Sequence, residues 1–389
     1  MSNILKKIGA FMVTLKIIGN FFIQPTLWLA IILIYGMYTR RIKKERQAFR
    51  TAVDSDFYEG RHAIKVGFVF SIVGSMMLFG LGVMLPINWV IIYAIFMILG
   101  LLLYPVFDAI FPLFIISGLV YGMTESQLFN FEVIKYEEFH VEFMTGILLI
   151  GTVILFITAC ALYLFRNSPL SPNTQSGKRG RNISSFSMKD LYLVPLVILT
   201  PGDQFQSVFS WWPIIHIAGT EFNIIILPLI VGLSLRIYKE IPRVAIKFIK
   251  KQYLYLAFIG TGLTVMSIFI PIMGIYGLIV LLVAYCISRY IIKRHDNKQE
   301  KWFAESNEGI LIVGVRPGTP ASKMDVEVGD VVVQCNGIEV RNEIELYEAL
   351  QSSSTYCRLK IRTFSGDTKI TESAIFSDSP YEIGLVIIK

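Results

Sequence analysis

Runs of about 20 apolar residues, joined by short basic connections, constrain this chain more than any other feature, because that is the length needed to cross about 30 Å of hydrocarbon. Clear candidate spans are 17–38, 64–86, 143–165, 253–271 and 272–292. Residues 88–122 form a longer run interrupted by Pro105, Asp108 and Pro112, and 190–235 divides at GDQFQS (202–207) into 190–212 and 213–235. Only 17% of the 389 residues are charged and 54% are hydrophobic, whereas soluble domains carry about 25% charged residues. A single soluble core and a disordered chain are both excluded.

The connections give the orientation, since Lys and Arg in short loops mark the cytoplasmic side. Residues 39–65 carry eight basic and four acidic side chains, 166–190 five and one, 236–251 six and one, and 289–301 five and two. The stretch 123–142 is opposite in character, with five Glu and one Lys. Keeping 39–65 and 166–190 on one side requires an even number of spans between them, so 88–122 must cross twice. The expectation for 1–301 is an α-helical polytopic membrane bundle of eight or nine spans, with cytoplasmic loops 39–65, 166–190 and 236–251. Ile4, Leu5, Ile8, Phe11, Met12, Leu15 and Ile18 recur at helical spacing, so 3–22 also fits a helix lying flat in the interface. Lys6 and Lys7 precede an apolar stretch without a small-residue cleavage site, which reads as a retained N-terminus. Residues 166–185 (RNSPLSPNTQSGKRGRNISS) read as a flexible connection. The basic excess of 1–301, 28 basic against 16 acidic side chains, is spread through these loops and favours anionic lipid headgroups over nucleic acid.

After Trp302 the pattern changes to apolar runs of four to six residues separated by turns, and the balance becomes acidic, with 8 basic and 13 acidic side chains. GILIVGV (309–315) reads as a strand and RPGTPA (316–321) as a turn. VGDVVVQCNGIEV (328–340) reads as a turn, a strand and an Asn336-Gly337 hairpin. NEIELYEALQ (342–351) reads as a helix with Asn342 as cap and Glu345 at the capping-box position, and Ile344, Leu346 or Tyr347, and Leu350 facing inward. Residues 357–376 give a second hairpin around Ser365-Gly366-Asp367, and YEIGLVIIK (381–389) a last strand. These elements suffice for a small α+β core.

In that order and spacing, the Gly-strand-PGTPA element, the Gly329-Asp330 turn, Asn336-Gly337 and the following helix resemble a bacterial PDZ domain over 302–389, departing from relatives at Met324-Asp325-Val326. Such domains grip an extended peptide as an added strand between a sheet edge and a helix. The resemblance implies that Gly309, Ile310 and Leu311 form the carboxylate-binding loop and that Ile312 and Val313 pair with the peptide backbone. It implies that Leu346, Ala349 and Leu350 line the side-chain pocket. A degenerate groove used only for docking is the alternative, and the strand-forming tail GLVII (384–388) is a candidate to cap it.

No reaction chemistry emerges. The four histidines, His62, His140, His216 and His295, form no H-E-x-x-H pair, and Glu137-Glu138-Phe139-His140 lies in the acidic loop, where a solvated face suffices. There is no room for a trypsin-like barrel and no phosphate loop. Cys160, Cys286, Cys335 and Cys357 form no C-x-x-C pair and read as free buried thiols, which fits a reducing compartment for the C-terminal part. Asp108, His216 and Glu221 lie within or beside apolar runs, and only Glu221 would lie deep enough to serve transport. Trp211-Trp212 read as interface anchors. No catalytic residue, metal or cofactor is expected.

The apolar segment with Phe21-Phe22-Ile23-Gln24-Pro25, the following Tyr38-Thr39-Arg40-Arg41-Ile42-Lys43-Lys44-Glu45-Arg46, and the C-terminal module together resemble the MinJ family of Gram-positive bacteria. The resemblance implies a non-enzymatic membrane scaffold, multi-pass in the cell membrane and enriched at septum or poles. It would bridge a DivIVA-like protein to MinC/MinD-like or other division proteins, with homo-oligomers open. A PDZ regulator of a membrane protease and a transporter with a regulatory PDZ domain are the alternatives.

Overall fold

The computed structural model describes residues 2–125, 141–164, 170–176, 182–206, 221–298, 303–304, 308–353, 356–375 and 383–388. Trp211, Trp212, His216 and the 137–140 stretch lie outside them. Helices α1 (Ser2–Ile23) and α2 (Pro25–Phe49) meet at Gln24 with a bend of 50°. Pro25 has no N–H to continue α1, yet fits the first turn of α2. The run 17–38 is therefore divided between two helices. Helix α3 (Tyr58–Leu81) ends on Gly82, whose φ of 68° is the left-handed cap that glycine adopts readily.

Residues 88–122 break where Pro105 and Asp108 fall, into α4 (Ile87–Leu103) and α5 (Ile110–Glu125). At 1.5 Å per residue each is only about 25 Å long. Helices α6 (Phe143–Leu164), α7 (Pro242–Phe269) and α8 (Met273–Lys298) follow. Helices α3, α6, α7 and α8 are long and apolar enough to cross a membrane, and the bent α1–α2 pair makes a fifth if it is one span. Helix α6 is buried over nearly its whole length and packs on α7 and α8. Its Thr152 hydroxyl lies 3.3 Å from that of Thr264 on α7.

The segment 190–235 is not helical, and this corrects the expectation of two helical spans there. Strands β2 (Asn182–Gln206) and β3 (Glu221–Ile237) pair antiparallel from Phe186↔Ile237 to Gln206↔Glu221. Runs such as Ile224-Ile225-Ile226 are β-branched, and Pro195, Pro201 and Pro228 would interrupt a helix. The hairpin is buried on both faces, so its strands read as continuous apolar runs, as spans do. The connection 166–185 is ordered where described: β1 (Ser171–Ser176) pairs with the first six residues of β2.

A hairpin set among apolar helices has two outer edges of backbone N–H and C=O groups, which are costly to leave unpaired in a hydrocarbon medium. The helices supply partners. On the β2 edge, the Ser75 hydroxyl accepts from Val197 N–H at 2.9 Å and Leu85 N–H donates to the Leu199 carbonyl at 2.8 Å. Gly67 lets the Leu193 carbonyl approach so closely that a Cβ there would overlap it. On the β3 edge, Gln24 Nε2 donates to the Ile226 carbonyl at 2.9 Å. The Tyr93 hydroxyl donates to the Pro228 carbonyl at 3.1 Å and accepts from Ile230 N–H at 3.0 Å. Pro195 and Pro228 face each other in register, at positions whose neighbours Val197 and Ile230 point their N–H groups outward, so the missing donors are not lost from the ladder. Near the strand ends the Tyr104 hydroxyl lies 2.6 Å from the Asp190 carbonyl and accepts from Leu233 N–H at 3.1 Å. Asp108 Oδ2 accepts from Ser234 N–H at 3.3 Å and lies 3.4 Å from the Arg289 guanidinium. Glu221 is exposed at the start of β3 rather than deep in a span.

Strand β4 (Phe303–Ala304) pairs with β2 and leads into the C-terminal module. This comprises β5 (Ile310–Val315), α9 (Pro320–Lys323), β6 (Val331–Cys335), β7 (Ile338–Glu339), α10 (Glu343–Gln351), β8 (Tyr356–Arg362), β9 (Thr368–Ala374) and β10 (Leu385–Ile387). The sheet order is β10-β5-β6-β8-β9, with β7 paired to β6. Asn336 (φ 52°) and Gly337 (φ 87°) make the β6–β7 turn, as their sequence suggests. Cys335 and Cys357 are free and buried, whereas Cys160 and Cys286 are exposed, against the expectation of burial.

The module is docked on the bundle, and β5 shows why its sequence is apolar at every position. Ile310 and Ile312 enter the module's own core, while Leu311 and Val313, with Val386 and Ile388, enter the core shared with the bundle. Val53 from the α2–α3 connection sits against Gly314. Phe303 is wedged between Phe186 (centroids 4.9 Å apart, edge-on) and Phe364 (5.5 Å, stacked). Each such burial stabilises by about 1.5–3 kcal/mol, enough together to oppose the free relative motion expected of small polar domain interfaces. An exposed Arg243–Glu327 pair spans the same seam and adds little.

Candidate functional site

The candidate site is a groove between α10 and the sheet edge β10. Helix α10 is fixed at its start by the residues its sequence announces. Asn342 Oδ1 accepts from Glu345 N–H at 2.9 Å, and Glu345 Oε2 accepts from Arg341 N–H at 2.7 Å. Leu346 and Ala349 are buried beneath the helix. Ile344 (71% exposed) and Tyr347 (53% exposed) point away from the core, which corrects the expectation that Ile344 faces inward.

Strand β10 is set by the turn before it. Gly384 has φ 93°, and a Cβ there would overlap the Thr319 side chain. The Ile383 carbonyl accepts from Ala321 N–H at 3.0 Å and the Gly384 carbonyl from Arg316 N–H at 2.9 Å, tying the turn to the RPGTPA segment. The strand then pairs with β5 in the register Leu385↔Val315, Val386↔Gly314 and Ile387↔Ile312. Among the described residues its opposite edge pairs with no strand, and it faces α10.

The groove has a volume of about 420 Å³. Its walls are Glu343, Ile344, Leu346, Tyr347 and Leu350 of α10, residues 383–387, and Phe49, Arg50 and Thr51 at and just past the end of α2. An apolar trough along an unpaired strand edge suits an extended peptide, with main-chain hydrogen bonds to β10 and side chains against α10. Arg50 (φ 61°), which caps α2 in the left-handed conformation, adds a cation to the wall, and Glu343 of α10 adds a carboxylate.

This arrangement relocates part of the predicted site. Gly309, Ile310, Leu311, Ile312 and Val313 do not line the groove. Strand β5 has neighbours on both edges, β6 through Ile310↔Val332 and Leu311↔Val331 and β10 on the other side, so no edge remains for a peptide. Gly309 is packed under the Val332 carbonyl. Leu346 and Leu350 do line the groove, whereas Ala349 faces the core at 1% exposure. The tail 384–388 was a candidate cap, and instead forms the groove's own edge. Residues 383–387, Tyr347 and the three from α2 were not foreseen as lining. The available signal is Gly384 before an apolar strand, the same pattern as Gly309 before β5.

The α2 residues are held in place by a buried ionic cluster in the 38–46 motif. Arg41 Nε binds Glu59 Oε1 at 2.5 Å, its terminal nitrogens donate to the Asp54 and Asp56 carbonyls at 2.8 and 3.1 Å, and its plane covers the Tyr58 ring at 4.5 Å. Glu45 Oε2, 3.4 Å from Arg41, accepts from Val53 N–H at 2.9 Å. With Glu45 1% and Glu59 6% exposed, the cluster clamps the connection between α2 and α3, where it meets the module.

Comparison with known proteins adds to this geometry. Residues 311–363 match the PDZ domain family; the matched stretch ends before β10, which completes the sheet. The chain is similar to the "Cell division topological determinant MinJ" of Bacillus subtilis (strain 168), 26% identical over 388 residues, covering 96% of this chain and 95% of that protein. It is also similar to the "Probable cell division topological determinant MinJ" of Lacticaseibacillus paracasei and of Lacticaseibacillus casei (strain BD-II). Each is 26% identical over 220 residues, covering 56% of this chain and 58% of the relative.

Proposed function

We propose that this MinJ-like protein, with its C-terminal PDZ domain, is a non-enzymatic membrane scaffold that gathers division-site proteins through the groove between α10 and β10. One observation carries the reading: the groove is bolted to the membrane part through the two-faced strand β5 and the Phe49–Thr51 wall. Confinement to a surface raises effective concentration toward other membrane-associated proteins, and a fixed groove adds orientation. The basic connections that sit at the module's end of the bundle favour a cytoplasmic PDZ domain in a multi-pass cell-membrane protein. The similarity to a division topological determinant supports septal or polar enrichment. The partners that the resemblance implies are DivIVA-like and MinC/MinD-like proteins, engaged through a C-terminal or extended segment.

The test is a fluorescent fusion of the full chain in dividing cells, alone and with Tyr347→Ala/Leu350→Ala. Septal enrichment lost in the double variant, at equal membrane abundance, supports the reading. A uniform membrane signal for the unaltered chain refutes it.

A further inference from the structure

A second cavity lies away from the groove, where α2, the start of α3, the α4–α5 turn and the sheet β1–β2–β3 meet. Its volume is about 140 Å³, and Arg40, Arg41, Lys44, Lys189 and Arg236 contribute to its wall. The one carboxylate in that wall, Glu59, is taken by Arg41, at 2.5 Å to one oxygen and 3.3 Å to the other. Four cations therefore converge with no further carboxylate among the described lining residues. Lys189 lies within Coulombic range of Arg236, Lys44 and Arg40 together. Its acidic neighbour, Asp108, is already 3.4 Å from Arg289 and accepts from Ser234 N–H.

The fold positions these cations. Lys189 is half-buried and donates to the Pro105 carbonyl at 2.6 Å. Arg236 lies on the neighbouring strand and reaches the Tyr238 hydroxyl at 3.3 Å. Arg40 and Lys44 stand one turn apart on α2, an arrangement that is unfavourable for like charges on its own. Ser171, Asn173, Ser187 and Tyr58 supply hydroxyl and amide groups to the remaining wall. Guanidinium, ammonium and hydroxyl donors around a small polar cavity suit the oxygens of a phosphate group, and basic pockets between helices at a membrane surface take phospholipid headgroups.

We propose that this cavity binds a phosphate group, held by Arg40, Lys44, Lys189 and Arg236. The group comes from an anionic phospholipid headgroup or from a soluble phosphate. Its binding ties α2 to the hairpin and to the α4–α5 turn, and is independent of what the groove carries.

The intact protein in neutral detergent is titrated, following its thermal unfolding midpoint, with phosphatidylglycerol, with phosphatidylcholine, and with inorganic phosphate against chloride at equal ionic strength. The variants are Arg40→Gln/Lys44→Gln, whose side chains are exposed, and Lys189→Gln/Arg236→Gln. The control is Lys43→Gln/Lys247→Gln, which removes the same charge outside the cavity. Half-saturating concentrations should rise by about fivefold per cation removed, or roughly 25-fold in each cavity variant, and stay within about twofold in the control. Stabilisation by phosphatidylglycerol alone assigns a headgroup, and by phosphate a soluble ligand. Stabilisation by neither, or an equal loss in the control, overturns the proposal.

Discussion

Replacing Arg41 with Met tests whether the clamp on the α2–α3 connection is a structural device or an incidental ion pair. The substitution keeps most of the stem volume and removes the cation that faces Glu45 and Glu59 in the cluster, which are 1% and 6% exposed. Removing one partner of a buried ionic group typically costs about 3–5 kcal/mol, because the remaining charge stays buried without compensation. Two carboxylates are stranded here, and the Asp54 and Asp56 carbonyls lose donors. The open population of the connection should therefore rise by at least about 100-fold. Limited proteolysis of the full-length protein in detergent reads that population when opening is fast relative to cleavage. Cleavage within 50–57 should accelerate accordingly, and a groove-bound peptide should weaken because Phe49, Arg50 and Thr51 lose their position. Arg41→Met/Glu45→Gln/Glu59→Gln removes the stranded charges and should recover most of the protection. If the single variant resists proteolysis as the unaltered protein does, or the triple variant is no better than the single, the reasoning fails.

Four further outcomes are expected. Tyr93→Phe leaves the Pro228 carbonyl and the Ile230 N–H unpaired and should destabilise the bundle by about 1–3 kcal/mol per group, whereas Tyr255→Phe, on an exposed ring, should be neutral in the same denaturation series. Gly384→Ala meets both the 93° φ and the Thr319 side chain, so it should displace β10 and abolish peptide binding measured by fluorescence anisotropy on the full chain. Tyr347→Ala, on an exposed wall residue, should weaken peptide binding without moving the unfolding midpoint. The Lys369 ammonium beside Asp325 holds its carboxyl below the usual carboxylate range. The pair's contribution is then present above the unfolded pKa of about 4 and lost as pH falls through the lower folded value; Asp325→Asn should flatten this limb of a pH–melting profile.

The C-terminal elements were legible because their signals are local: a capping box at Asn342–Glu345, an Asn-Gly turn, alternation in β8 and β9. The groove's edge was not. Gly309-Ile310-Leu311 and Gly384-Leu385-Val386 are both a glycine followed by apolar residues, and only the pairing of β10 with β5, some 70 residues apart in sequence, decides which one borders α10. The helical hairpin of α4 and α5 followed from Pro105 and from the charge balance of the flanking loops. The β2–β3 hairpin was hidden by its burial on both faces, although four prolines within 190–235 argued against helices. The ionic clamp lies in a motif that the family resemblance had singled out, yet nothing in the motif announces its partner Glu59.

The inner alternation of β5 also bears on how the C-terminal part behaves when cut away. Severed at 302, a fragment would show water a greasy flank of Leu311, Val313, Val386 and Ile388, which the bundle ordinarily hides. Such a fragment should self-associate or precipitate, and a weak peptide signal obtained with it would report on that stickiness rather than on the intact molecule.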